Sequence, residues 1–383
     1  MRNFTFIMAA IVSITLAACG GGGGSKDVSA YKAALPSANE LLSVEVPTPV
    51  ETSRVAGIIG PESATFPALA GDPAKGINGF VTNIVTILDA VTNLPYTYYD
   101  DEEKSVFWGP YKDDNTRGEY VLMVVLVPET ETGSEDGDVY GYNLFRVPDG
   151  FDLLANVGAD EMPPNIYPIL SGMSSPENSG GPIGLVRFDF DENAIAEDAY
   201  DGDSYTMPEG VFAAVFGQHV ESDVTDTFVL SVVRNFAEPA GGDTADLDYF
   251  YGRHEDSTGL EPVVVDYFNF LTEADVIQDT SATETLEIRL AFIDSSYGRA
   301  EVEIAGGDSG LGANALECWD PSLNRIWLEL DDGYSNYITP SGSTSADCYT
   351  PFQSYFDALG IPSISDLGGL YDELETFALE GFF

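Results

Sequence analysis

The chain has 383 residues, of which 64 are acidic and only 15 are basic, so its formal net charge is −49. A field of that sign repels phosphate backbones and anionic head groups, which argues against nucleic acid and against an electrostatically bound membrane surface as partners. Because the acidic excess is spread along the whole chain, it is typical of a solvated, salt-tolerant surface, and we favour that interpretation over a specific cationic partner.

The first 25 residues have the pattern of an export signal that ends in a lipidation site. Arg2 is followed by an apolar run, Phe4 to Thr15, which is shorter than the roughly 20 residues that span a bilayer. The segment Leu16-Ala17-Ala18-Cys19 then resembles the lipobox of bacterial lipoproteins. The resemblance implies cleavage before Cys19 and a diacylglycerol on its thiol. It also implies the outer membrane, because Gly20 stands where an aspartate retains such proteins at the inner membrane. A plain secretory signal and an uncut membrane anchor are the alternatives.

Composition divides the rest of the chain into segments. Residues 1–18 are the signal peptide, and residues 19–75 are the lipidated cysteine, a glycine-rich tether and a proline-rich stalk with one short helix near Ala38 to Ser43. The glycines after Cys19 predict a flexible tether. Residues 76–383 are predicted to be a β-rich domain.

The β-rich domain is predicted to begin with an amphipathic helix. Apolar residues recur at helical spacing from Ile77 to Val91, and Pro95 ends the pattern. We expect the apolar stripe of this helix to pack on a sheet, since core packing is the usual reason for such a face.

From Val106 onward the hydrophobic period changes to two, as in Leu286, Ile288 and Leu290, which alternate with charged or small residues. Turn-forming clusters separate most of these runs. The predicted fold is therefore mainly β, an antiparallel meander that is barrel-like or a sandwich, and we favour a barrel because closure removes the edge strands. A Gly/Pro-rich break at 148–182 is a possible sub-division. The predicted strands are Val106–Tyr111, Glu119–Val127, Val139–Val147, Gly184–Phe190, Val211–Gly217, Thr227–Phe236, Leu247–Tyr251, Pro262–Phe270, Leu286–Phe292, Arg299–Ile304 and Asn324–Leu330.

The C-terminal segment predicts short helices at Phe352–Leu359 and Ser365–Leu379. A second interpretation exists, because Phe377, Leu379 and the terminal Phe383 alternate in the manner of the closing strand of an outer-membrane barrel. An integral outer-membrane barrel is therefore an alternative to a lipid-anchored domain.

Two cysteines remain after Cys19, and they predict a disulfide. Cys318 and Cys348 are an even pair in a chain sent to an oxidising compartment. A zinc site is disfavoured, because no histidine or third cysteine lies near either position in the sequence.

An acidic stretch after the predicted strand Gly184–Phe190 is a weak calcium candidate. Its first residues resemble a calcium loop, but Ala194 and Tyr200 replace the glycine and glutamate that an EF-hand requires. We favour a solvated acidic loop over a calcium site. The candidate ligands are Asp189, Asp191, Asp198, Asp201 and Asp203.

No catalytic residue is predicted. The run Gly307-Asp308-Ser309-Gly310 resembles the nucleophile turn of trypsin-like proteases, but a serine needs a positioned base. The only histidines are His219 and His254, and neither has another histidine or a cysteine at ligand spacing, so no catalytic or metal role is assigned to them. We do not expect an enzyme.

The sequence thus predicts a lipoprotein anchored in the outer membrane, on its periplasmic or cell-surface face. Its β-rich domain is expected to bind or to have a structural role, with an unknown protein or apolar small-molecule partner. The alternatives are a carrier that encloses an apolar ligand in a β-barrel cavity and an integral outer-membrane barrel.

Overall fold

Fifteen antiparallel strands form one sheet, in which each strand pairs with the next one along the chain. The structure is a computed structural model that describes residues 26–35, 66–112, 117–127, 138–157, 163–175, 183–201, 207–237, 244–259, 263–274, 284–293, 297–306, 313–331, 336–339 and 364–380. The strands are β1 (Tyr98–Asp100), β2 (Ser105–Lys112), β3 (Glu119–Val127), β4 (Val139–Val147), β5 (Tyr167–Ser175), β6 (Ile183–Asp189), β7 (Glu209–Glu221), β8 (Val224–Ala237), β9 (Ala245–Asp256), β10 (Val263–Ala274), β11 (Glu284–Ile293), β12 (Tyr297–Gly306), β13 (Ala313–Trp319), β14 (Arg325–Asp331) and β15 (Asn336–Thr339).

The predicted antiparallel meander is confirmed, with two corrections. Strand β5 lies inside the break at 148–182 and pairs with both β4 and β6, so that segment does not divide the sheet. The sheet is not closed, because β1 pairs only with β2 and β15 only with β14 among the described strands. The closed barrel favoured from the sequence is therefore not observed.

Helix α2 (Phe66–Thr92) fills the concave face of this sheet. It contacts both β2 and β11, which are far apart in the strand order, so the sheet curves around the helix. Its side chains share one hydrophobic core with residues of β2 to β13. The buried apolar side chains on α2 are Ala74, Ile77, Phe80, Val81, Ile84, Val85, Leu88 and Val91. The predicted amphipathic helix is confirmed, and it occupies the space that a carrier would offer to an apolar ligand.

Two parts of the predicted stalk belong to the folded body. Helix α1 (Ser29–Ala34) buries Tyr31 and Ala34 in the core that surrounds α2. Helix α2 begins at Phe66 rather than near Ile77. The interpretation of residues 26–75 as an extended stalk is therefore wrong for 26–35 and 66–75. The predicted helix Ala38–Ser43 lies outside the described residues.

Three shorter elements pack elsewhere on the sheet: α3 (Leu153–Asn156), α4 (Phe190–Asp201) and α5 (Ile364–Glu380). Helix α4 contacts β4, β5 and β7, and α5 contacts β7 and β8. Within the described ranges, none of the helices combines the length and apolar character needed to cross a membrane.

Helix α5 confirms the predicted helix Ser365–Leu379. The strand interpretation of Phe377 and Leu379 is wrong, because both residues are helical. The buried residues of α5, Tyr371, Leu374, Phe377 and Ala378, follow helical spacing, and they pack on the outer face of the sheet. Phe352–Leu359 and the last three residues lie outside the described part of the chain.

Candidate binding groove on the outer face of the sheet

The outer face of the sheet, opposite α2, is covered by described helices in two places. Leu153 of α3 packs on Val121 and Val147, over β3 and β4. Helix α5 packs on an apolar patch of β7 and β8 that includes Val211 and Leu230. Further along the sheet, β11 to β14 carry an open groove with a volume of about 320 Å³. We call this feature the β11–β14 groove, and its size is at the lower end of the range of about 300–1,000 Å³ for small-molecule pockets.

Strand register places the side chains of this groove in two rows. In an antiparallel sheet, directly opposed residues project on the same face, with their Cβ atoms about 4.5–5.5 Å apart. The first row runs from β11 to β14 through Glu287, Glu303, Asn314 and Asp331. The second row, on the same strands, consists of Arg289, Glu301, Leu316 and Glu329. Each row is therefore fixed by backbone pairing.

The β11–β14 groove is strongly acidic, because five carboxylates and one guanidinium line it. The guanidinium of Arg289 forms an ion pair with Glu287 on the same strand. The hydrogen bond to Glu287 raises the pKa of Arg289. Glu287 also lies directly opposite Glu303, an arrangement of like charges that is destabilising in a sheet. A cation bound between these strands would relieve that repulsion.

An apolar side chain, Leu316, lies among the carboxylates on the outer face. Val302 and Ala315 also border the groove, but they are paired with each other and project toward the core around α2. Leu316 stands between Glu301 and Glu329 in its row, since it is paired with both. The groove thus offers an aliphatic surface bordered by negative charge, which suits a side chain with a methylene stem and a cationic head.

Cys318 lies in the next row of the outer face and is completely buried. It is paired with Trp327 of β14, and the two residues form a small apolar cluster beside the groove. Cys348 lies outside the described residues, so the Cys318–Cys348 disulfide stays a prediction. Cys19 and Gly307-Asp308-Ser309-Gly310 also lie outside them.

The acidic stretch after β6 forms helix α4, so the expectation of a loop there is wrong. Asp189 accepts a hydrogen bond from the backbone N–H of Glu192 at 2.9 Å, as an N-cap does, and it pairs with Arg187 at 2.6 Å. Asp191 accepts the backbone N–H of Gly210 at 2.7 Å. Asp198 lies seven residues further along the helix, which separates it from Asp191 by about 10 Å along the axis.

The calcium candidate is only partly described, and it stays an untested alternative. Asp189 and Asp191 have structural partners, Asp201 ends the helix and Asp203 lies outside the described residues. Searching the described ranges for three or more His, Cys, Asp or Glu side chains in metal-binding positions finds no such cluster.

Helix α4 is held to the sheet by a buried ion pair that the sequence did not predict. Arg146 on β4 has no exposed side-chain surface, and its Nη2 lies 2.6 Å from Oε2 of Glu197, whose side chain is 8 % exposed. Arg146 also donates to Oδ1 of Asn193 at 2.9 Å. Its guanidinium lies against the rings of Tyr120 and Tyr200. This cluster fixes the helix to its strand.

Sequence reasoning also missed a relation between the two histidines. His219 is on β7 and His254 is on β9, and both are paired with the same residue of β8, Asp226. Their separation in the sequence hides this arrangement, and only the register of two successive hairpins reveals it.

Comparison of this chain with models of protein families, with curated proteins and with solved structures finds no match. We therefore infer the function from the chemistry of these surfaces.

Proposed function

We propose that this protein is an outer-membrane lipoprotein whose β domain binds a cationic segment of a partner protein in the β11–β14 groove. The observation that carries the proposal is the groove itself, a surface in which Leu316 lies inside a border of five carboxylates. The lipobox at Leu16-Ala17-Ala18-Cys19 supports the anchor.

The groove suits lysine and arginine side chains of a partner. Their methylene stems can cover Leu316, while their charged heads reach Glu301, Glu303 or Glu329. Hydrogen bonds from a cation to a carboxylate are shorter and stronger than neutral ones. The net charge of −49 adds long-range attraction that raises the rate of encounter with a basic partner.

Two pairs of substitutions test the groove against the effect of overall charge. Glu303→Gln with Glu329→Gln removes two groove charges, and Asp149→Asn with Glu373→Gln removes two charges from other elements. Asp149, Glu373 and Glu303 are exposed and Glu329 is half-buried, so we expect both double variants to fold. The probe is a fluorescent peptide rich in lysine and leucine, titrated into the detergent-solubilised full chain at low ionic strength.

We expect the groove pair to weaken binding of the peptide about tenfold, which corresponds to a loss of about 1.4 kcal/mol. The control pair should change the dissociation constant less than about twofold, because charges on the other elements act only through screened, long-range attraction. Equal weakening by the two pairs would show that the peptide senses only net charge, and would refute the groove.

The anchor is tested separately by Cys19→Ser. This variant should lose metabolic labelling by a fatty acid and should move from the membrane fraction to the soluble fraction. Equal labelling of the variant and the wild type would contradict lipidation at Cys19.

A further inference from the structure

The only two histidines in the chain face one aspartate on three neighbouring strands. His219 on β7 is directly opposite Asp226 on β8, and Asp226 is directly opposite His254 on β9. Neighbouring strands lie about 4.7–4.9 Å apart, so the backbones of the two histidines are about 9.5 Å apart on either side of the aspartate. Two imidazoles and a carboxylate thus project from one row of three paired residues.

All three side chains project from the outer face of the sheet. Phe216 on β7, Val229 on β8 and Tyr251 on β9 belong to the core around α2, on the concave face. The three residues of the row are each an odd number of positions from these core residues, and side chains alternate along a strand. His219 is exposed, while the side chains of Asp226 and His254 are 50 % and 24 % exposed. The row is therefore open to solvent.

Backbone hydrogen bonds fix the end of the sheet that carries this row. Strands β7 and β8 are joined by the two-residue turn Ser222–Asp223, which sets the register of His219 with Asp226. The backbone N–H of Ser257, just after β9, donates to the carbonyl oxygen of Asp223 at 2.9 Å. Three strands are thereby tied at the same end, next to the row.

Asp226 already orients one of the imidazoles. Its Oδ1 lies 2.7 Å from Nδ1 of His254. A carboxylate on one ring nitrogen leaves the other nitrogen as the ligand, the arrangement that holds many metal-binding histidines. Glu221 and Asp256 lie in the next row on the same face, since both are paired with Val224, so oxygen donors adjoin the imidazoles.

We propose that His219 and His254 bind a divalent late transition metal, zinc or copper, and that Asp226 is the residue that positions His254. Imidazole is a preferred ligand of these metals. In the described part of the chain no three such side chains yet converge as ligands. The site that we propose has two imidazole ligands, and it requires the His219 ring to turn toward His254 while the pairing of β7, β8 and β9 is kept. This inference is independent of the proposed function of the β11–β14 groove.

The test is titration of the full chain with Cu²⁺ and with Zn²⁺ at pH 7.5. We expect saturable binding, and nitrogen hyperfine splitting in the electron paramagnetic resonance spectrum of the copper form. His219→Gln and His254→Gln should each weaken binding at least about tenfold, as should Asp226→Asn by loss of the oriented ring. Glu373→Gln, an exposed acid on α5, is the control and should leave binding unchanged. Binding should also be lost at pH 5, because protonated imidazoles do not ligate metals.

A measurement on the wild type keeps the proposal testable if a histidine variant misfolds. Metal at saturating concentration should protect both histidines from carbethoxylation. Absence of saturable binding, binding that survives both histidine substitutions, or carbethoxylation unaffected by metal would each overturn the proposal.

Discussion

The buried ion pair between Arg146 and Glu197 leads us to predict a large loss of folding stability when Glu197 loses its charge. Glu197→Gln keeps the volume of the side chain and one acceptor oxygen, but it removes the charge that neutralises a guanidinium with no exposed surface. Removing one partner of a buried pair typically costs about 3–5 kcal/mol, because the other charge stays buried and uncompensated. Since Arg146 keeps its hydrogen bond to Asn193, we expect the lower end, a loss of about 3 kcal/mol in the free energy of unfolding.

The assay is urea unfolding of the purified protein, with an exposed ion pair as control. Lys112 and Asp149 are 3.0 Å apart, and their side chains are 57 % and 61 % exposed. Exposed pairs contribute about 0–1 kcal/mol, so Asp149→Asn should change the midpoint little. A double variant that replaces both Arg146 and Glu197 with apolar residues should be more stable than Glu197→Gln alone. If Glu197→Gln costs no more than Asp149→Asn, the guanidinium is not sequestered from water and the reasoning fails.

Two further predictions concern the C-terminal part of the fold. The hydrogen bonds from Arg234 lower the pKa of Glu375 on α5, so this contact stabilises the folded state at neutral pH and is lost as the pH falls below about 4.5. The protection factors of the α5 amides, from which the intrinsic pH dependence of exchange has been removed, should therefore fall on acidification, and this response should be much reduced in Glu375→Gln. The second prediction is the Cys318–Cys348 disulfide: alkylation of denatured, unreduced protein should label neither cysteine. Reduction should lower the thermal stability, since a disulfide contributes about 2–4 kcal/mol. Labelling of both thiols before reduction would contradict the disulfide.

Strong alternation made several strands predictable, and a weak apolar pattern hid others. The bounds of β3 and β4 match the sequence prediction, because β-branched and aromatic residues fill both runs. Strand β5 was missed since Gly172 and Pro168 suggest a loop. Gly172 has a packing reason, because a Cβ there would lie 2.3 Å from the ring of Tyr142 on the neighbouring strand. The need for a glycine beside the Tyr142 ring cannot be predicted from the local composition.

Helix α4, the β11–β14 groove and the histidine row also depend on contacts between distant segments, which the sequence alone did not predict. The sequence of α4 is acidic with little apolar periodicity, and what holds it is Glu197 against an arginine on a distant strand. The charges of the β11–β14 groove were visible as outward residues of predicted strands, such as Glu287 and Glu303. Which of them face one another depends on hairpin register, and so does the row that contains His219 and His254.

The strictly sequential order of the sheet has a consequence for how the chain is made. Every strand finds its partner in the segment just synthesised, so the sheet can grow from β1 without waiting for distant sequence. Helix α5 does depend on distant sequence, because it docks on β7 and β8, strands that are completed much earlier. Until it arrives, Val211, Ala213, Leu230 and Val232 present an apolar surface to water. A chain truncated before α5 should therefore aggregate although its sheet is already paired, because this helix is what covers the apolar surface of β7 and β8.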